Sequence, residues 1–303
     1  MNRQSLNRLT PYFFMAPAAV IMAIALFYPL LYMMFGSFRA WDPSQRLNET
    51  DFVGLANYTK LLRDEAFLES VTVTLTFAGT VVVAEMLIGV GLALLLDRKI
   101  RGMSVLRTLF ILPMMIAPVV VGLVWRFMYH PTDGIFNRWL SALGLGRVDW
   151  LGDHALMSVI IADIWQWTPF IFILSLAALQ SLPRTALEAA RIDGATGWQQ
   201  IVHIKLPLMA PVLIVTFLLR LIDAFKVLEV ILVMTEGGPG LSTEILALRI
   251  ARTAQEFREL GEAAAMSNYL LLLLMVLTLG MFAFTRWQEA RAQRLNAVKQ
   301  EEG

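Results

Sequence analysis

Six stretches of this chain, at about 12–37, 71–96, 106–128, 155–180, 207–234 and 266–286, are each long and mostly apolar. A hydrocarbon layer about 30 Å thick is spanned by roughly 20 apolar residues in a helix. Without water in that layer, each backbone polar group must be paired within the chain, and a helix does this segment by segment. The composition agrees: 57% of the residues are hydrophobic and 16% charged, against about 25% charged in a soluble domain. The expectation is an all-α membrane protein with six transmembrane helices in one transmembrane domain, residues 1–303. Pro113 and Pro118 predict a bend in the third span. The first run follows Arg3 and Arg8, as in a signal peptide. It is too long for one, and its A-x-A (Ala16-Pro17-Ala18) lies near its start, so an uncleaved helix is expected.

Several function classes drop out. A net charge of +1 gives no footprint for nucleic acid. The absence of cysteine excludes disulfides, cysteine-ligated zinc and iron–sulfur clusters. His130, His154 and His203 share no metal-ligand spacing, so no metal is expected. None of the five lysines follows a glycine, which rules out a phosphate-binding loop of the G-x-x-x-x-G-K-[ST] type. A membrane enzyme would need a nucleophile–base or metal constellation, and the sequence offers none. A secondary transporter would be expected to carry paired inverted repeats, which are not evident.

Lysine and arginine set the orientation. With a cytoplasmic N-terminus, thirteen cations fall inside and nine outside, and Arg98, Lys99, Arg101 and Arg107 crowd one short inner loop. Both termini are therefore expected in the cytoplasm, with the end from Arg286 onward forming a helix that leaves the membrane. Trp41, Phe52, Tyr58, Phe67, Trp139 and Trp150 on the outer side are expected to be interfacial anchors.

The inner stretch from Leu182 to Pro211 reads LPRTALEAARIDGATGWQQIVHIKLPLMAP. Pro183 ends the fourth span. Thr185 with Glu188 three residues on forms a T-x-x-E capping box for a new helix. Small alanines at 186, 189 and 190 allow close approach by another protein. Asp193-Gly194 stops that helix, since glycine accepts the left-handed turn. A second short helix from about Thr196 to His203 presents Trp198, Ile201 and Val202, and Leu206-Pro207 opens the fifth span. A helix pair lying only on lipid would carry many cations. This one sets Glu188 and Asp193 against Arg191, which suits a protein partner better.

Glu188-Ala189-Ala190, Asp193-Gly194-Ala195, Ile204, Leu206-Pro207 and Pro211 resemble the EAA signature of ABC importer permeases. The one departure is Ile201, where many relatives carry phenylalanine. Trp165-Gln166-Trp167-Thr168-Pro169, Leu179-Gln180-Ser181-Leu182-Pro183 and Thr235-Glu236-Gly237-Gly238-Pro239-Gly240 with Thr243 are similar to the maltose-type carbohydrate-uptake branch. The resemblance implies the type I importer permease fold, with a cytoplasmic coupling-helix pair in the loop 184–206. It implies that Glu188, Ala189, Ala190, Asp193, Gly194, Trp198, Leu206 and Pro207 form the contact with an ATPase. It further implies a second, different permease subunit, two copies of an ABC ATPase that bind the ATP and magnesium, an extracytoplasmic solute-binding protein, and the bacterial inner membrane. No cofactor and no enzymatic activity are expected in this chain. The solute would be an oligosaccharide, a polyol or a glycerol-phosphate-like compound.

Charges inside spans cost roughly 2.5–3.5 kcal/mol each on insertion scales, so Glu85, Asp163, Arg220, Asp223, Lys226 and Glu229 call for partners or a pathway. The last four follow one another at i,i+3 and can pair along one helix. Alternatively some face a water-filled path. Asp163 and Trp167 share a helix face, with Trp165 and Gln166 nearby, and a ring plus polar groups suits a polyhydroxylated ligand. The maltose permease's sugar contacts resemble in position Asp163, Trp167, Arg220, Asp223 and Ala224, with different side chains. Asp163, Trp165, Trp167, Arg220 and Asp223 are the candidate pathway residues. Arg220 would either bind an anionic solute or pair with Asp223.

Overall fold

A computed structural model describes residues 3–97 and 102–301. Arg98, Lys99 and Arg101 of the basic loop lie outside the described residues. Among those described there is no strand, only an isolated bridge between Arg39 and Phe52. In chain order the helices are α1 (Arg3–Gly36), α2 (Ala56–Leu61), α3 (Glu65–Leu96), α4 (Met103–Ile111), α5 (Pro118–Met128), α6 (Ile135–Ala142) and α7 (Ala155–Gln180). They continue with α8 (Arg184–Ile192), α9 (Gly197–Gln200), α10 (Leu206–Ala224), α11 (Glu229–Met234), α12 (Leu246–Gln255) and α13 (Leu260–Glu301).

Five helical segments are long and apolar enough to cross a membrane: Phe13–Gly36, Glu65–Leu96, Ala155–Gln180, Gly197–Ala224 and Leu260–Ala283. The third expected span is broken, with Arg107–Met115 and Pro118–Met128 meeting at 99°. Two prolines turn the expected bend into a break. Pro113 sits in a 3₁₀ turn, Leu112–Met115, and the residue before Pro118, Ala117, is extended at φ −59°, ψ 136°. The ring of a following proline disfavours helical backbone at that position.

The second span begins at Glu65 rather than 71, and the fifth and sixth also differ from the sequence reading. The fifth begins upstream of 207, because α9 runs into α10 through a π turn, Ile201–Lys205. It also stops at Ala224, not 234. The chain unwinds over residues 225–228 and restarts as α11, although no proline or glycine marks the break. The four charges from Arg220 to Glu229 would otherwise all face an apolar layer. The sixth begins at Leu260, where a short polar start precedes buried Ala263, Ala264, Ala265 and Met266.

The chain divides into two compact units, Met1–Glu65 with Ile250–Gly303, and Ala66–Arg249. In the first unit α1, α2 and α13 meet. Asn57 Nδ2 donates to the carbonyls of Ser37 (2.8 Å) and Arg39 (3.0 Å). Tyr58 hydrogen-bonds through its hydroxyl to Ser37 (2.7 Å) and accepts from Asn268 (2.8 Å). Lys60 is paired with Glu262, whose hydrogen bond holds the ammonium above its ordinary pKa.

The second unit contains the core that positions the site. α3 and α7 approach closely at Gly89, where a Cβ would stand 2.7 Å from Ile171 Cβ. Ala93, Phe172, Leu176, Leu179 and Met209 form an apolar cluster joining α3, α7 and α10. Between α5 and α7, Trp125, Tyr129, Phe136 and Trp150 stack into one aromatic knot with ring centroids 5.2–5.9 Å apart. Buried Asn137 ties the knot's loop, bonding the Pro131 and Val148 carbonyls, the Val148 amide and Trp150 Nε1.

The aromatics expected as interfacial anchors thus split. Phe52 and Trp139 are exposed, as anchors should be. Phe67 is buried, Tyr58 is a hydrogen-bonded centre of the first unit, and Trp150 belongs to the knot. Trp41 packs edge-on against Tyr32. Trp41, Tyr58 and Trp150 each hold a ring or a polar partner within the chain, and Phe67 is packed into the interior.

Candidate functional site

The loop 184–206 forms an elbow, built differently from the capping-box expectation. Pro183, at φ −62° and ψ 122°, is itself the N-cap of α8. Thr185 is then the second residue of the helix, inside the first turn, and makes no cap. The capping box falls one helix later, where Gln199 N–H donates to Thr196 Oγ1 (3.3 Å) and Thr196 N–H donates to Gln199 Oε1 (2.8 Å).

The end of α8 follows the expectation. Gly194 is left-handed at φ +78°. Ala195 N–H reaches back to the Ala190 carbonyl (2.9 Å) and Gly194 N–H to that of Arg191 (3.1 Å), the paired bonds of a Schellman turn. Glu188, Ala189, Arg191, Ile192 and Asp193 are exposed, while Ala190 is buried. Two large apolar side chains of this elbow are uncovered by the rest of the chain: Ile192 at 87% exposure and Trp198 at 72%. Ile201 and Val202, expected to join Trp198, are half-buried. Ile192 was not singled out from sequence. It follows the alanines of the signature, and only the turn geometry reveals its exposure.

Leu206 and Pro207 do not begin a separate span. Pro207 has no N–H to give the His203 carbonyl, and its ring crowds that carbonyl. The backbone widens by one residue, so that Leu206 N–H bonds to the Ile201 carbonyl. The second arm of the elbow, α9, and α10 are consequently one helix from Gly197 to Ala224.

Fifteen residues after Lys205, α10 carries Arg220, a charge only 1% exposed. Its Nε donates to Glu85 Oε2 (2.6 Å) and its Nη2 to Glu85 Oε1 (3.0 Å), a two-pronged grip on a carboxylate of α3. Nη2 also pairs with Asp163 Oδ2 from α7. Nη1 reaches Asp223 Oδ2 at 3.3 Å, and the guanidinium carbon lies 5.3 Å from the Trp167 ring centre. The pairing expected along one helix is therefore the weakest contact Arg220 makes. Its main partners come from two other helices, and the arginine joins three spans. Lys226 forms no ion pair with Asp223 or Glu229 among the described residues, because the unwound segment takes it off their helix face.

Beside this cluster lies a cavity of about 240 Å³, lined by Pro118, Asp163, Trp167, Asp223, Lys226 and Glu229. It forms where the broken third span and the break after α10 meet, and irregular backbone at membrane depth is tolerated where it borders a cavity. Asp163 Oδ1 is buried there with no hydrogen-bond partner. Arg220 sits behind the wall. Trp165 does not join the cavity. Two positions from both Asp163 and Trp167, it points away and packs on Trp125 at 5.7 Å. Glu85 is the member missing from the candidate pathway residues, although a carboxylate set deep in the apolar run of α3 after Glu69 was a usable signal.

Gln166 is the second such residue. Buried on α7, it donates through Nε2 to the Ile116 carbonyl (3.1 Å), a group the proline break would leave unpaired. Gln166→Leu should cost about 1–3 kcal/mol, read as a lower melting temperature of the purified chain. An unchanged melting temperature would contradict this role.

A sequence model of the family described as binding-protein-dependent transport system inner membrane component matches residues 85–294. The chain is 36% identical over 266 residues (88% of this chain, 86% of that protein) to the probable ABC transporter permease protein y4oQ of Sinorhizobium fredii. It is 41% identical over 202 residues (66% and 68%) to the trehalose/maltose transport system permease protein MalF of Thermococcus litoralis. To the sn-glycerol-3-phosphate transport system permease protein UgpA of Agrobacterium fabrum it is 34% identical over 287 residues (92% and 95%). Its fold is that of a chain in the crystal structure of a bacterial alginate ABC transporter in complex with an alginate pentasaccharide-bound periplasmic protein. The TM-score is 0.81 at 24% identity, covering 93% of this chain and 96% of that one. Matched in sequence over most of its length, and carrying the apolar helices such a role requires, the chain belongs to the inner membrane components of binding-protein-dependent transport systems, as a multi-pass permease subunit of an ABC importer.

Proposed function

We propose that this permease carries a carbohydrate or related polyhydroxylated solute through the cavity beside Arg220, driven by an ATPase that docks on the elbow around residues 184–206. The observation that carries the reading is the single helix from Gly197 to Ala224. One end presents Trp198 to a partner, and the other holds Arg220 and Asp223 at the cavity. A displacement at the elbow is thereby transmitted along a stiff element to the cavity wall. ATP binding can drive it only if the ATPase engages one conformation of the elbow more tightly than the other.

Glu188, Ala189, Ala190, Asp193 and Gly194 shape the docking surface, and Leu206 and Pro207 join it to the membrane helix. Ile192 and Trp198 are its apolar anchors, since interface hot spots are buried side chains surrounded by near-neutral contacts. Asp163, Trp167 and Asp223 offer the solute a ring face and hydroxyl acceptors. Trehalose and maltose in the name of one relative and sn-glycerol 3-phosphate in that of another support a polyhydroxylated cargo. The full importer in this reading contains a second, different permease, two ATPase subunits that hold ATP and magnesium, and an external solute-binding protein. The elbow and both termini face the cytoplasm.

Proteoliposomes containing the whole transporter and its binding protein test this, with labelled trehalose, maltose, glycerol and sorbitol as probes. Accumulation of at least one probe that needs internal ATP is expected. Accumulation that ignores ATP and follows a proton gradient would contradict the mechanism, and failure of all four probes would contradict the solute class.

A further inference from the structure

The charges beside the cavity narrow the solute class further, an inference that rests on the transport reading above. Arg220 is the one cation of the buried cluster, and it is already engaged. Its Nε, Nη1 and Nη2 donate to Glu85, Asp223 and both Glu85 and Asp163, and its planar face lies near Trp167. A guanidinium held in this way has little left to offer a phosphate or a carboxylate. The wall that a solute meets presents Asp163, Asp223 and Glu229 against a single lysine, Lys226. The free Oδ1 of Asp163 is buried at that wall. A carboxyl oxygen that lacks a donor matches a hydroxyl or an ammonium group, and the more exposed Asp223 and Glu229 on the same wall disfavour an anion.

We propose that the cavity admits neutral and cationic polyhydroxylated solutes and rejects anionic ones, with Glu85 as the positioning residue that keeps Arg220 turned away from the path. One like-charge contact at about 6 Å, in surroundings of effective dielectric near 20, corresponds to roughly 100-fold discrimination.

The test loads the complete transporter with its binding protein into ATP-filled proteoliposomes. The outer medium is a bacterial metabolite extract spiked with equal amounts of trehalose, glycerol, glucosamine, glucuronate and glycerol 3-phosphate, and mass spectrometry identifies what accumulates. The expected solutes are neutral or cationic, with every anion about 100-fold lower. Accumulation of an anion within tenfold of the best solute overturns this inference and leaves ATP-driven transport standing. A neutral solute with no hydroxyls, as the main cargo, overturns the carbohydrate reading but supports the charge filter. Accumulation of nothing contradicts both.

Asp223→Asn alters a side chain that is 43% exposed and is compatible with the fold. It should raise the anion-to-neutral ratio at least tenfold. Glu85→Gln should raise the same ratio and Glu85→Asp restore it, whereas a purely structural role would lower all uptake alike. Ratios that stay at the wild-type value in both Asp223→Asn and Glu85→Gln would overturn the roles assigned to these carboxylates.

Discussion

Arg220→Met should leave the second unit severely destabilised. The substitution keeps most of the volume and strips the only cation from a pocket where Glu85 and Asp163 are both fully buried. Removing one partner of a buried ion pair costs about 3–5 kcal/mol, because the remaining charge is left uncompensated. The total stability of a domain is about 5–15 kcal/mol. For a unit of this size a loss of that order lowers the melting temperature by about 10 °C, measurable by thermal unfolding of the purified transporter in detergent. Arg220→Lys should not restore it, because an ammonium cannot reproduce the two-pronged grip on Glu85. The triple replacement Arg220→Met, Glu85→Gln, Asp163→Asn should recover much of the loss by discharging the pocket as a whole. A wild-type melting temperature in Arg220→Met would show that the cluster does not hold the three helices.

Glu188→Ala should have the opposite profile, with an intact chain and a failed machine. Glu188 is exposed in this subunit, so its removal leaves folding and insertion unchanged. In the docked complex the carboxylate would lie against a basic group of the ATPase, where truncating one member of a buried charged pair costs about 2–5 kcal/mol. Solute-stimulated ATP hydrolysis and uptake should fall by about 30-fold or more, with the melting temperature unchanged. Wild-type values for both activities in liposomes would refute the role.

How much of this was readable beforehand varied with the physics involved. Long apolar runs announced the helices because a bilayer admits little else, and the left-handed turn at Gly194 could be read from Asp193-Gly194 alone. Helix breaks without a breaker residue could not. The unwinding at residues 225–228 follows from where four charges can be placed in three dimensions, and periodicity carries no such information. The same limit explains Arg220. Its neighbour in sequence, Asp223, was visible, while Glu85 lies 135 positions away and is brought close only by the packing of α3 at Gly89. The continuity of the elbow with α10 was also hidden, because Leu206-Pro207 reads as a helix start and the π turn that carries the chain past Pro207 has no sequence mark of its own. Ile192 was passed over since an isoleucine in an amphipathic helix is normally turned inward.

The most direct measurement uses the absence of native cysteine, which makes Ile192→Cys the single thiol of this chain. In membranes holding the assembled transporter, a short thiol-reactive photocrosslinker attached at that position should capture the ATPase subunit, and membrane-impermeant labels should reach it only from the cytoplasmic side. If the thiol never captured the ATPase, or reacted with impermeant reagent added outside intact cells, an ATP-driven elbow moving the cavity wall through one helix could not be this protein's mechanism.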